Sequence, residues 1–232
     1  MLHQPAHGYR VAVDPVFLAA SVPANAGDMV FEAGAGAGAA SLCLLYRVPG
    51  CSVVGSETQQ DLRELAEQNA VENGFGGRFS VLDPAAMERA SPPGGFAHAF
   101  SNPPFWEAGS GTASPKTGKA SANHESRTTI FDWIAGMARL TRQKGTITIV
   151  YPAARLEVLV TAMEKVAGGI ALLPLWPKRG RDAKRLIVQG RIGGKGPSRL
   201  LPGLVVHNDD GIYSKEAEAI LRGGAGSQLA EG

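Results

Sequence analysis

Apolar and polar positions alternate along this chain in short blocks of two kinds. Apolar runs at 29–32, 51–56, 78–82, 96–101 and 145–151, bounded by Gly, Pro and Asn, predict strands buried on both faces. Between them, 39–46, 59–73, 85–89, 124–140 and 155–166 carry helical spacing of apolar residues. The first helix is predicted earlier, over 16–20, with Asp14 as N-cap and Pro15 in the first helical position. Strands at 170–176 and 186–191 complete the set, and with no helical crossover between them they are expected to run antiparallel.

Strand and helix in alternation mean a mostly parallel sheet covered by helices on both faces. The prediction is an α/β, Rossmann-like fold of seven strands with the last one antiparallel. Residues 1–28 read as a helical cap, 29–192 as the main domain and 193–232 as an extension packed on it. That extension holds an apolar run at 204–207, a helix-like stretch at 215–222 and a tail, 223–232, expected to fray. Residues 102–123 are rich in Gly, Ser, Pro and Lys and too long for a routine connection, so they predict a functional loop.

Bulk composition narrows the picture. The 232 residues, 44% hydrophobic and 19% charged, suit one globular unit, and a net charge of +2 excludes a strongly basic nucleic-acid coat while leaving room for a local cluster. The two cysteines, Cys43 and Cys51, have no His or Cys partners at metal-ligand spacing and read as reduced core residues; no metal is expected. No apolar stretch is long enough to span a membrane and the first ten residues lack a signal-peptide pattern, so a cytoplasmic protein is expected.

Two motifs carry chemistry. Glu32-Ala33-Gly34-Ala35-Gly36-Ala37-Gly38 joins the first predicted strand to a helix, where absent side chains let a small ligand approach the backbone. Gly34, Gly36 and Ala39 also satisfy the dinucleotide fingerprint, so a nicotinamide cofactor stays open at this point. Glu32 suits a cationic amino-acid group better than a pyrophosphate, Glu57 ends the second strand where a carboxylate can accept ribose hydroxyls, and Asp83 ends the third where it can meet an adenine amino group. The second motif, Ser101-Asn102-Pro103-Pro104-Phe105, follows the fourth strand, and a dehydrogenase has no use for it. Its prolines stiffen the turn and remove donors, so the Asn102 side-chain oxygen and the Pro103 carbonyl can accept both hydrogens of a planar amino group, with Phe105 stacking on a base. Both motifs must open into one pocket for this chemistry to have a site.

These motifs, with Gly8-Tyr9-Arg10, His124-Glu125 and Val206-His207-x-x-Asp210-Gly211-x-Tyr213, make the chain resemble the class I S-adenosylmethionine-dependent methyltransferases, and among them the bacterial tRNA(Val) adenine-N6 methyltransferase family. The resemblance implies the class I methyltransferase fold, S-adenosylmethionine as cofactor and an adenine in tRNA as substrate. It further implies that Asn102, Pro103, Pro104 and Phe105 are catalytic, that Gly34, Gly36, Gly38, Glu57 and Asp83 bind the cofactor, and that Tyr9 and Asp14 help close the site. Glu57 keeps the ribose acid, but the acidic residue usual two places later is Gln59, and Phe105 replaces the commoner Tyr. Lys178, Arg179 and Arg181, with Lys184 and Arg185, form the dense basic cluster expected to hold phosphates; Lys116 and Lys119 add charge to the long loop, and His124 either touches substrate or supports that loop. Four other readings compete: a protein glutamine methyltransferase, which carries a helical recognition domain that about thirty residues before the first strand cannot supply; another adenine-N6 methyltransferase acting on rRNA or DNA; a non-catalytic cofactor-binding or RNA-binding module; and a nicotinamide-dependent dehydrogenase.

Overall fold

A computed structural model describes residues 1–5, 11–104 and 129–230. The parallel part of the sheet is β1 (Met29–Ala33), β2 (Ser52–Ser56), β3 (Phe79–Leu82), β4 (Phe96–Ser101) and β5 (Thr141–Pro152). β6 (Ala167–Trp176) and β7 (Arg185–Ile192) follow, and the order across the sheet is β3-β2-β1-β4-β5-β7-β6. β7 lies antiparallel between β5 and β6, as the missing crossover predicts. Two further two-residue strands, β8 (Arg199–Leu200) and β9 (Leu204–Val205), pair parallel with β6, so among the described residues the sheet has nine strands rather than seven. Runs this short have no periodicity to read, and Gly and Pro flank them.

Helices cover both faces. α1 (Asp14–Ala20), α2 (Ala39–Arg47), α3 (Gln60–Glu72) and α7 (Lys215–Gly223) pack on one core, around Phe17, Leu44, Val53 and Phe100. α4 (Met87–Ala90), α5 (Ile130–Leu140) and α6 (Leu156–Glu164) pack on the other, around Phe96, Ile134, Ile147 and Leu159. Successive residues of β1 feed opposite cores, Val30 the first and Phe31 the second, which is why these strands read as unbroken apolar runs.

Several predicted bounds differ: α5 starts at Ile130 behind a Thr129 cap rather than at 124, β5 at Thr141 rather than 145 and β6 at Ala167 rather than 170. Two termini also differ in how they are held. Val13, not Asp14, is the N-cap of α1; Asp14 and Pro15 lie inside its first turn, and the Asp14 carboxylate accepts from Arg185 Nε at 2.7 Å rather than capping the helix. The tail does not fray up to residue 230: Gly224 caps α7 in the left-handed region, the Ser227 hydroxyl meets that of Ser21 at 2.8 Å, and Leu229 is buried in the first core. One buried apolar side chain contributes about 2 kcal/mol, enough to hold a short tail.

Candidate active site

Register fixes where the loops emerge. Ala33 pairs with Ser56 and Ser56 with Leu82, while Glu32 pairs with Phe100, so β1 to β4 end in one row on one edge of the sheet. A cavity of about 1030 Å³ opens there, lined among others by Gly34, Glu57, Asn102, Pro103, Pro104 and Trp133. The glycine bend and the Asn-Pro-Pro turn thus share one pocket, as their chemistry requires. Open α/β sheets hold ligands at this edge.

The bend is tied to β2. The amides of Gly34 and Ala35 both donate to the Ser56 carbonyl at 2.9 Å, and the Gly36 amide donates to Glu57 Oε2 at 3.0 Å. The strand end thus takes the Gly34 and Ala35 N–H groups, and the Glu57 carboxylate takes that of Gly36. A side chain at Gly36 would meet open space, whereas one at Gly34 would lie 3.0 Å from the Trp133 ring. At Gly34 it is an indole that needs the missing side chain. Gly38 is the N-cap of α2 and packs on Ala66 and Phe79, away from the cavity.

The three strand-end acids divide. Glu57 lines the cavity; its Oε1 accepts from the Gln59 amide at 3.0 Å and from Thr58 Oγ1 at 3.3 Å. A carboxylate has about four acceptor positions, so with Gly36 three are taken and Oε2 keeps one for a hydroxyl donor. Glu32 is buried, and its Oε2 accepts from both the amide and the hydroxyl of Ser41 in the first turn of α2. Burial outweighs these bonds and pushes its pKa up to about 8, so at neutral pH the acid is largely protonated. It braces the helix and stands outside the cavity lining. Asp83 is half-exposed on the rim: Oδ1 accepts from the Ala85 amide at 3.0 Å and Oδ2 lies 3.6 Å from Arg63, while Pro84 and Ala85, rather than Asp83, line the cavity. Arg63 also donates to the Glu57 and Thr58 carbonyls, at 2.7 and 2.8 Å, joining the ends of β2 and β3.

At the other wall, the Ser101 hydroxyl donates to the Ala33 carbonyl at 2.6 Å and accepts from Trp133 Nε1 at 3.0 Å. This clamp holds the start of the Asn-Pro-Pro turn against the end of β1. Asn102 is half-buried and Pro103 buried. Trp133 escapes motif reading because its only signal is the helical stripe Trp133, Gly136, Met137, Leu140, which looks like ordinary core. Asp14 does not line the cavity. Tyr9, Phe105, Lys116, Lys119 and His124 lie outside the described residues.

The basic cluster occupies the β6–β7 connection. Because β6 runs parallel to β5, this connection emerges on the cavity edge, and the Ala153 amide at the end of β5 donates to the Lys184 carbonyl at 3.1 Å. Arg179, Arg181 and Lys184 are exposed, while Lys178 donates to the Asp209 carbonyl at 2.9 Å. Among the described residues no group of His, Cys, Asp and Glu could hold a metal, and no helix is long and apolar enough to cross a membrane.

No family model matches the chain. It is similar to a tRNA1(Val) (adenine(37)-N6)-methyltransferase of Bacteroides thetaiotaomicron, 25% identical over 92% of this chain and 89% of that one. A release factor glutamine methyltransferase of Agrobacterium fabrum is 32% identical over 44% of this chain and 35% of its own length. Among solved structures, a predicted O-methyltransferase of Agrobacterium tumefaciens superposes with a TM-score of 0.76 at 21% identity, over 92% of this chain and 98% of the other. The chain has the class I S-adenosylmethionine-dependent methyltransferase fold.

Proposed function

We propose that this chain transfers a methyl group from S-adenosylmethionine to the N6 amino group of an adenine in tRNA. The observation that carries this reading is the shared cavity: Glu57 stands at one part of its wall, and the Asn102-Pro103-Pro104 turn, clamped to β1 through Ser101, at another. The residues fit the cofactor. Glu57 keeps an acceptor position for a ribose hydroxyl, and the space over Gly36 is open.

When bound, S-adenosylmethionine supplies an electrophilic methyl carbon, which the amine nitrogen takes up as the carbon–sulfur bond breaks. Asn102 and the Pro103 carbonyl accept the two amino hydrogens, turning the nitrogen lone pair out of conjugation and toward that carbon. No strong base is needed, since the nitrogen sheds its proton to solvent after methylation.

The edge cations favour RNA over a protein substrate. Arg179, Arg181 and Lys184 stand on the cavity edge beside the end of β5, placed to meet phosphates of a chain whose base enters the pocket. The partial likeness to a glutamine methyltransferase makes protein glutamine the second reading, because the same two acceptors suit a carboxamide nitrogen. Incubation with labelled S-adenosylmethionine, unmodified tRNA and a release-factor protein separates them: N6-methyladenosine in a nucleoside digest is expected, and label confined to protein overturns the RNA reading. Asn102→Ala should lower turnover by roughly 100-fold or more while cofactor affinity stays within a few-fold.

A further inference from the structure

A sulfonium carries a positive charge, and among the described residues the acids that line the cavity are Glu57, Glu88 and Asp132. Of the acids lining the cavity, Glu57 is bonded to the Gly36 and Gln59 amides, and Asp132 is bonded to the amide and hydroxyl of Thr129 in the capping box of α5. Glu88, the third, is on α4, on the β3 side. Glu32, the nearest acid in sequence to the bend, is buried on Ser41 and outside the lining.

The glycine bend and the Asn-Pro-Pro turn flank the part of the cavity where an amine held by Asn102 would receive its methyl group. Trp133 stands there. Its Nε1 donates to Ser101 at 3.0 Å, and its Cζ2 and Cη2 atoms come within 3.0 and 3.2 Å of where a side-chain carbon on Gly34 would sit. These three atoms share one edge of the indole, so that edge is seated on the ends of β1 and β4 while the ring lines the cavity. Gly34 and Ser101 together fix its place, one by lacking a side chain and the other by accepting a hydrogen bond.

We infer that Trp133 is a cofactor-binding residue that recognises the sulfonium charge through its π system and so favours S-adenosylmethionine over the neutral thioether product; this rests on the methyltransferase reading above. Tryptophan is the strongest aromatic partner for a cation, and a desolvated contact changes affinity by a few-fold to about thirtyfold. Product discrimination of this kind also speeds turnover by letting the thioether leave.

The test is calorimetric titration of S-adenosylmethionine and S-adenosylhomocysteine against wild type, Trp133→Leu and Trp133→Phe. Trp133→Leu should weaken S-adenosylmethionine about tenfold more than S-adenosylhomocysteine, and Trp133→Phe, which keeps a ring but loses the Ser101 bond, should retain part of the preference. Fluorinated tryptophan at position 133, with the other two tryptophans replaced by phenylalanine, withdraws charge from the ring at nearly constant volume and gives the same answer should Trp133→Leu not fold. There the preference should fall with each added fluorine. Equal loss for both ligands, or no dependence on fluorine, overturns the inference and leaves the methyltransferase reading standing. Failure of the wild-type protein to bind either ligand overturns that reading itself.

Discussion

Glu32 and His98 are single residues whose burial sets opposite pH slopes. The Glu32 carboxyl has its pKa raised by burial from 4.5 to about 8, so across that window the folded chain holds a proton that the unfolded chain has released, and stability falls as pH rises. Glu32→Gln keeps an acceptor for Ser41 and removes the proton; its thermal midpoint should decline less than the wild type's between 4.5 and 8. His98 lies in β4, bonded to Thr146 Oγ1 at 2.9 Å, and burial lowers its pKa from 6.5 to about 4. Its contribution is fully present above 6.5 and is lost as pH falls toward 4, so His98→Asn should flatten the acid side of the stability profile. The residue scale is also where sequence reading is weakest. The placement of Asn102 and Glu57 on the cavity is legible because loops that follow parallel strands emerge together at the carboxyl edge of the sheet. The orientation of Glu32 is not, since whether a carboxylate faces a ligand or the Ser41 turn depends on packing that no local pattern encodes.

Elements position these residues, and α5 does the most. Thr129 and Asp132 form a reciprocal capping box at its start, which draws the Asp132 pKa below the ordinary carboxylate value, and the same first turn carries Trp133. Thr129→Ala removes a cap worth about 1 kcal/mol. Thermal denaturation should show a lower midpoint, and titration should show weaker S-adenosylmethionine binding, because fraying this turn loosens the indole from Ser101. A normal midpoint with unchanged affinity would refute that coupling. Strands such as Phe96–Ser101 are legible to the residue, as a continuous apolar run between turn formers can only be a strand buried on both faces. β8 and β9 are not, because two residues pair only where β6 already offers an edge.

At the scale of the whole molecule, the position of β7 decides what the protein can reach. Its insertion between β5 and β6 carries the connection bearing Arg179, Arg181 and Lys184 to the cavity edge. The double variant Arg179→Ala/Arg181→Ala should weaken tRNA binding and lower the slope of log affinity against log salt by about one for each cation removed, with cofactor affinity unchanged. An unaltered slope in filter binding would show that the RNA passes elsewhere. Chain order alone gives the antiparallel pairing of β6 with β7 but not the place of β7 in the sheet; that follows from β5 offering β7 a partner on its other side.

The lashing of Gly34, Ala35 and Gly36 to the end of β2 has a kinetic corollary. A bend already built needs no ordering when its ligand arrives, so little entropy is lost there and this part of the site adds no slow step to association. Hydrogen exchange at these amides should be protected before any ligand is added and should barely change afterwards.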